Sequence, residues 1–412
     1  MPGSTGPFDA AVTGIGMVTA AGIGSRASWD VIRDPGGTVA SGVPALDGLP
    51  AHIGCWIPDY DADKAIGRRK AWRYDRSSQF AITAAAEAVA DSGLSQDDWD
   101  GTRVAVVLGS GIGGAASWEK QHHVLLDGGP LNVSPLLIPM LAVNMSAGYV
   151  AMEHGARGPN FVTATACASG TTAIGMAREL LRQGVCDVVI TGGTEACLIP
   201  SIVTGFSQMG ALSRRQDNPR AASRPFDVDR DGFVPAEGAA VLVLERAADA
   251  KARGARVYAN VCGYGASADA HHATAPDPTG AGAELALRAA LDDAGLAPDT
   301  VDHVNAHGTS TPLNDEAEAK LIRRVLGQRP AVTSIKGVVG HSLGAAGAIE
   351  AAVTALTISQ GVIPPTANLD SQDPKIELDV VAKTARTATV EVAVSNSFGF
   401  GGQNAVLAFS RV

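Results

Sequence analysis

Two stretches of the chain are built to one plan: NFVTATACASGTTAIGMARELL (Asn160–Leu181) and PAVTSIKGVVGHSLGAAGAIEAAVTAL (Pro330–Leu356). Each opens on β-branched residues, passes through a turn of small residues and ends in a helix-like run rich in Ala and Gly. Each is then followed by a strand-like run that leads to a glycine pair, Gly192-Gly193 in one case and Gly401-Gly402 in the other. A pattern repeated at this length predicts a duplicated α/β unit whose halves, residues 1–255 and 256–412, meet near residue 255. No low-complexity linker separates them, so they are expected to share one body.

The remaining segments fit that frame. RVAVVLGSGIGG (Arg103–Gly114), DVVITGG (Asp187–Gly193), VDHVNAHGTST (Val301–Thr311) and VEVAVSNSFGFGG (Val390–Gly402) read as strands running into Gly-rich turns. Helices are expected at Arg76–Ser92, Thr171–Gln183, Gly280–Ala294, Asp315–Val325 and Gly344–Ser359. The alternation is that of an α/β protein with mostly buried strands. With 412 residues, 46% of them hydrophobic, the chain can bury a large core. Gly and Ala in the helices then have a packing reason, since helices buried between sheets must lie close.

Charge excludes some functions. Lys and Arg number 32 against 42 for Asp and Glu, a formal charge of −10, which argues against general nucleic-acid binding. No apolar run is expected to reach a membrane span of roughly 18 residues, and Met1-Pro2-Gly3-Ser4 lacks the charged start of a leader, so the expected location is the cytoplasm. The five cysteines, Cys55, Cys167, Cys186, Cys197 and Cys262, form no CxxC pair, which points to neither a zinc site nor a disulfide framework.

Each cysteine is then either a buried small hydrophobe or a reactive thiol. Cys167 differs from the others in standing where a β-like run turns into a helix. There the unpaired N–H groups and the positive end of the dipole favour thiolate and can hold an oxyanion. Its neighbours Ala166, Ala168, Ser169 and Gly170 leave room for a carbonyl. His307 and His341 each follow a strand, where side chains from several strand ends converge, and imidazole suits proton handling near neutral pH. A satisfied polar core group is the competing reading of either histidine. His122-His123 and His271-His272 lack acidic partners at metal-ligand spacing and read as structural or surface residues.

The motifs VTGIGMVTAAG, TACASG, SRPFDVDRDGFV, NAHGTSTPLND, KGVVGHSLGAAGA and NSFGFGGQN, in that order along nearly the whole chain, resemble the elongating β-ketoacyl-acyl carrier protein synthases of fatty-acid and type II polyketide systems. The resemblance implies a thiolase-like fold, two duplicated halves stacked as an αβαβα sandwich and paired into a homodimer or a heterodimer with a chain-length-factor-like ketosynthase. It implies that Cys167 is the acylated nucleophile, with His307 and His341 the catalytic histidines, Lys336 beside them and Glu350 supporting that lysine. A lysine near two histidines keeps them neutral, and a carboxylate compensates its charge. By the same resemblance Phe400 gates the site and shares an oxyanion hole with Cys167, Ile112 lines the acyl pocket, and Thr309, Thr311 and Phe398 bind substrate. The implied reaction is a decarboxylative Claisen condensation of an acyl group on Cys167 with malonyl carrier protein. It needs no cofactor or metal, because the phosphopantetheine arm belongs to the carrier.

An acyl carrier protein is acidic, so docking requires a local basic patch. GRRKAWRYDR supplies Arg68, Arg69, Lys70, Arg73 and Arg76, the densest basic cluster of the chain, with a solvated helix end as the competing reading. Gly210 stands where many relatives carry a basic carrier-binding residue, and Arg214 and Arg215 lie downstream. Pro235 and Ala236 depart from the usual fatty-acid pattern. DRSSQFA and SIKGVVGHSLGA lean towards polyketide enzymes and NSFGFGGQN towards fatty-acid ones. Two other classes compete: a thiolase, expected to carry a second cysteine in Val390–Val412, where there is none, and a non-catalytic chain-length factor, expected to lack Cys167. A plain carrier- or acyl-binding module would leave Cys167 unacylated.

Overall fold

The computed structural model describes residues 8–412; Met1–Ser4, read above for a leader, lie outside them. In the first half the strands are β1 (Ala10–Thr19), β2 (Val104–Gly109), β3 (Asn160–Thr163), β4 (Val188–Glu195) and β5 (Gly238–Arg246). In the second they are β6 (Asn260–Ala268), β7 (His303–Asn305), β8 (Ala331–Thr333), β9 (Val392–Gly399) and β10 (Gln403–Ser410). The main helices are α1 (Arg76–Ser92), α2 (Ala115–Gly128), α3 (Met145–His154), α4 (Ser169–Arg182), α5 (Pro200–Gln208), α6 (Ala281–Ala294), α7 (Pro312–Leu326) and α8 (Ala346–Gln360).

Both halves follow one topology. These strands lie in the order β3-β2-β4-β5-β1 and β8-β7-β9-β10-β6, so the two arrangements match, except that a short strand, Asp379–Val380, adds in parallel to β8 at the edge of the second half. The second strand of each half pairs in parallel with the third and fourth. The fifth pairs antiparallel with the fourth and the first. β1 and β6 meet antiparallel at Ala10↔Val261 and Ala11↔Asn260, which joins the two sheets at a seam.

Three apolar cores separate five layers. One lies between the first sheet and α1 and α3, one between the second sheet and α6 and α7, and the largest holds α4 and α8 between the sheets. Every residue of β1 is buried, as expected for a strand covered on both faces. A Gly-x-Gly in the first strand of each half seats its outer helix. A Cβ on Gly14 or Gly16 would lie 2.0 or 1.9 Å from the carbonyls of Ala88 and Ala84, and one on Gly263 or Gly265 would lie 2.2 or 2.1 Å from those of Ala290 and Ala286.

Three expectations need correction. α4 starts at Ser169, after a short 3-10 turn over Ala166–Ala168, and α8 starts at Ala346 after the matching turn Leu343–Ala345. β4 does not end at its glycine pair but runs through it to Glu195. Leu343–Gln360 is apolar enough by composition to cross a membrane, contrary to the reading of the sequence, but 89% of that stretch is buried inside the protein. A helix apolar on all sides suits a layer packed between two sheets.

Candidate active site

Cys167 occupies the middle of the 3-10 turn between β3 and α4. The turn places Ala166 at φ 48°, and its counterpart Leu343 adopts φ 46°. For residues with a Cβ this left-handed geometry costs about 1–2 kcal/mol. The end of β9 passes close by: a Cβ on Gly399 would lie 2.8 Å from the Thr165 carbonyl and 3.1 Å from the Cys167 nitrogen. Glycine there lets Phe400 bring its N–H to the Cys167 sulfur as a hydrogen-bond donor.

His341 reaches the same sulfur from the second half, with Nε2 3.2 Å from Sγ. The His307 and His341 rings stand edge to face with centroids 5.3 Å apart. Sγ and one nitrogen of each histidine lie within 4.8 Å of one another, and this is the one such group of three metal-capable side chains among the described residues. A thiol with two imidazoles is a donor set that zinc accepts.

Lys336 sits behind the histidines, about 1% exposed. Its ammonium donates to the His307 carbonyl at 2.7 Å, lies 3.4 Å from His307 Nδ1 and pairs with the Glu350 carboxylate. Because an ammonium only donates, His307 Nδ1 is the acceptor and its proton sits on Nε2. Ser397 bonds Thr171 at 2.7 Å and lies 3.5 Å from Glu350. Burial pushes the Glu350 carboxyl up to about 7, against the pull of Lys336.

Burial holds both imidazoles well below the ordinary histidine value, and the Lys336 charge adds to it. They are neutral as expected, with burial the larger cause. The thiol departs from expectation: burial pushes Cys167 up to about 11, while Lys336 and the Phe400 N–H pull it down. Desolvation outweighs the helix start and favours the thiol over the thiolate, and His341 Nε2 lies 3.2 Å from the sulfur, placed to accept its proton.

The site opens into a cavity of about 360 Å³ lined by Ile112, Thr309, Thr311, Phe398 and Phe400 among others. The Thr309 and Thr311 hydroxyls are 2.8 Å apart, and Phe398 stacks edge-on at 5.9 Å from His307. All the expected catalytic and pocket residues therefore converge on one place. Gly210 lines the same cavity.

Two buried acids were not singled out from the sequence. Glu318, on α7, accepts the N–H groups of His307 and Gly308 at 2.9 and 2.8 Å and so fixes the histidine's backbone. Glu195, at the end of β4, accepts from the Gly111 N–H at 2.7 Å. Reading β4 as ending at Gly193 hid Glu195; a carboxylate next to a strand that rises into the site was the available signal.

The basic cluster divides. Arg68, Arg69 and Arg73 are exposed, and Lys70 pairs with Glu153. Arg76 faces inward, bonded to Glu237 at 2.7 and 2.9 Å and to the Ile57 carbonyl at 2.9 Å, so it does not belong to an exposed basic face. His122, His123, His271 and His272 are exposed, which selects the surface alternative for them.

The family model described as "Beta-ketoacyl synthase, N-terminal domain" matches residues 8–250, and "Beta-ketoacyl synthase, C-terminal domain" matches residues 258–370. The chain is 43% identical over 408 residues to "3-oxoacyl-[acyl-carrier-protein] synthase 2" of Synechocystis sp., covering 97% of each. Among solved structures it resembles a β-ketoacyl synthase from Burkholderia phymatum with TM-score 0.92 and 34% identity, covering 98% of this chain and 100% of that one. It also resembles a chain of the structure described as "type II PKS acyl-carrier protein in complex with its ketosynthase bound to the hexaketide", with TM-score 0.89 and 32% identity, covering 98% of this chain and 100% of that one.

Proposed function

The chain belongs to the β-ketoacyl synthase family, and from that premise we propose that it is a 3-oxoacyl-acyl-carrier-protein synthase acting through an acyl group on Cys167. Cys167 attacks a carrier-protein thioester, its sulfur–carbon bond forms, and the carrier thiol leaves with the thiol proton handled by His341. Malonyl carrier protein then enters and loses carbon dioxide. The enolate oxygen is stabilised by the neutral imidazoles, and its carbon attacks the acyl-Cys167 carbonyl, releasing the thiol and the β-ketoacyl carrier. Splitting the step through a covalent intermediate is the general logic of nucleophilic catalysis.

The observation that carries the reading is the 3.2 Å approach of His341 Nε2 to the Cys167 sulfur, with His307 beside it and the Phe400 N–H opposite. The N–H groups of Cys167 and Phe400 form the oxyanion hole. Lys336 and Glu350 keep His307 neutral and oriented, and Thr309 and Thr311 take the pantetheine arm. Ile112 and Phe398 line the substrate's path. The reading needs no cofactor or metal of its own, so elongation is expected to persist in a chelator.

An acyl carrier protein is the partner, docking on the face that carries Arg68, Arg69, Lys70 and Arg73. A second ketosynthase-type chain, the same or a chain-length-factor-like one, pairs at β3, which is the half-exposed edge of the first sheet. The exposed Leu126, Leu131 and Ile138 support an apolar interface on this half. Five free cysteines suit a reducing cytoplasm. The pathway is elongation of fatty acids, supported by the 43% identical relative.

Incubation with acyl carrier protein is expected to add the acyl mass to Cys167, and Cys167→Ala to abolish it. His341→Ala is expected to lose elongation while retaining acylation at a reduced rate. An unmodified Cys167, together with untouched malonyl carrier protein, sinks the condensing-enzyme reading.

A further inference from the structure

Glu195 is fully buried and has no cationic partner among the described residues. Its carboxylate instead collects four neutral donors: the N–H groups of Gly111 at 2.7 Å, Gly344 at 3.1 Å and Ile112 at 3.3 Å, and the Ser110 hydroxyl at 3.1 Å. Burying a charge among backbone dipoles is costly unless every lone pair is met. Burial pushes this carboxyl up to about 7, while the four donors pull it back.

The place it fills is built for it. A Cβ on Gly111 would come within 2.9 Å of Glu195 Oε2, and one on Gly344 within 2.7 Å. The matching 3-10 turns, Ala166–Ala168 and Leu343–Ala345, make Gly344 the counterpart of Cys167. In the second half, the space next to that position is taken by a carboxylate from the first.

The two turns that Glu195 ties together flank the nucleophile. One carries Ile112, the other Leu343, and both side chains pack with Cys167, Cys197, Ile202 and Phe206 in one apolar cluster. An acyl chain attached to the sulfur has to run past these side chains. A carboxylate accepting from both turns fixes the distance between the two walls.

We infer that Glu195 is a positioning residue that holds the Ser110–Ile112 turn against the Leu343–Gly344 turn and thereby sets which acyl chain lengths fit beside Cys167. The inference rests on the acyl-Cys167 reading; Glu195 itself touches neither thioester.

The test compares kcat/KM for a short-chain and a long-chain acyl carrier protein with the full-length enzyme, and takes their ratio. That ratio is blind to the fraction of protein that is folded, so a merely structural role does not move it. Glu195→Gln replaces one acceptor by a donor facing an N–H. It is expected to lower the long-to-short ratio on the order of tenfold, the loss of one hydrogen bond to a charged acceptor. Ser110→Ala, which removes a single donor, is expected to shift the ratio the same way by less and serves if Glu195→Gln does not fold. Because Glu195 acts through the wall, its effect is expected to vanish in an Ile112→Ala background. An unchanged ratio in both variants, or effects that simply add to Ile112→Ala, overturns the inference. A wild-type enzyme that takes no acyl group on Cys167 overturns the underlying reading instead.

Discussion

Gly347 is a position where the two helices of the middle layer touch, and replacing it with alanine has a consequence that can be worked out. Its Cβ would lie 2.0 Å from Thr171 Oγ1 and 2.9 Å from both the Thr171 nitrogen and the Ser397 hydroxyl. Ordinary contact needs roughly 3.5 Å, so α8 must move from α4 by about 1.5 Å or Thr171 must turn. Turning Thr171 breaks its 2.7 Å bond to Ser397, worth about 1 kcal/mol. Overpacking of this kind costs about 1–3 kcal/mol, offset by about 1 kcal/mol for replacing a glycine within a helix. Gly347→Ala is therefore expected to lose about 1–3 kcal/mol in urea unfolding. Gly205→Ala, in α5 where no atom lies within 4 Å of the added Cβ, is expected to gain up to about 1 kcal/mol. Cys167 lies at the start of α4 and His341 just before α8. A shift near 1 Å is therefore expected to reduce elongation about a hundredfold in protein that is still folded. A Gly347→Ala variant as stable as wild type, or one that elongates at the full rate, refutes the claim that close helix approach sets the site's geometry.

Three further outcomes are expected. The double variant Lys336→Met, Glu350→Gln removes the positive charge behind the histidines without stranding a buried acid. Because that charge holds His307 and His341 below their ordinary value, its loss raises them, so they protonate earlier as pH falls. The acid limb of the elongation profile then moves to higher pH; an unmoved limb contradicts the electrostatic argument. Arg68→Glu with Arg69→Glu is expected to raise KM for the carrier several-fold at low salt and less at high salt. Arg76→Ala leaves KM alone but costs about 2 kcal/mol by stranding Glu237, discounted because the guanidinium is partly exposed. A KM effect from Arg76→Ala returns it to the docking face.

The repeat and its turns were legible because duplication leaves the same small-residue pattern twice, and α1 was placed residue for residue at Arg76–Ser92. Cys167, His307 and His341 stood out as candidates because each lies at a strand end, but a structural reading competed for each and their roles came only with the family resemblance. The inward turn of Arg76 was not, since only the position of Glu237 on a distant segment decides it. Glu195 and Glu318 were missed because a buried acid satisfied by backbone donors looks, in one dimension, like any surface carboxylate. The burial that opposes thiolate at Cys167 was not legible, because helix position is a local property whereas desolvation depends on everything packed around the sulfur.

The two matching 3-10 turns, with Ala166 and Leu343 in the same rare backbone geometry, carry a consequence for how such a chain can change over time. Two identical copies of one half, merely associated, would be forced to present the same side chain at both turns, so that a thiol at one would face a thiol at the other. Covalent fusion lifts that constraint. Position 167 and its counterpart 344 drift separately, and here one holds a sulfur while the other holds nothing beyond a hydrogen. An asymmetry of labour between a half that carries the cargo and a half that moves the protons is closed to two identical copies and open once the two turns belong to different stretches of sequence.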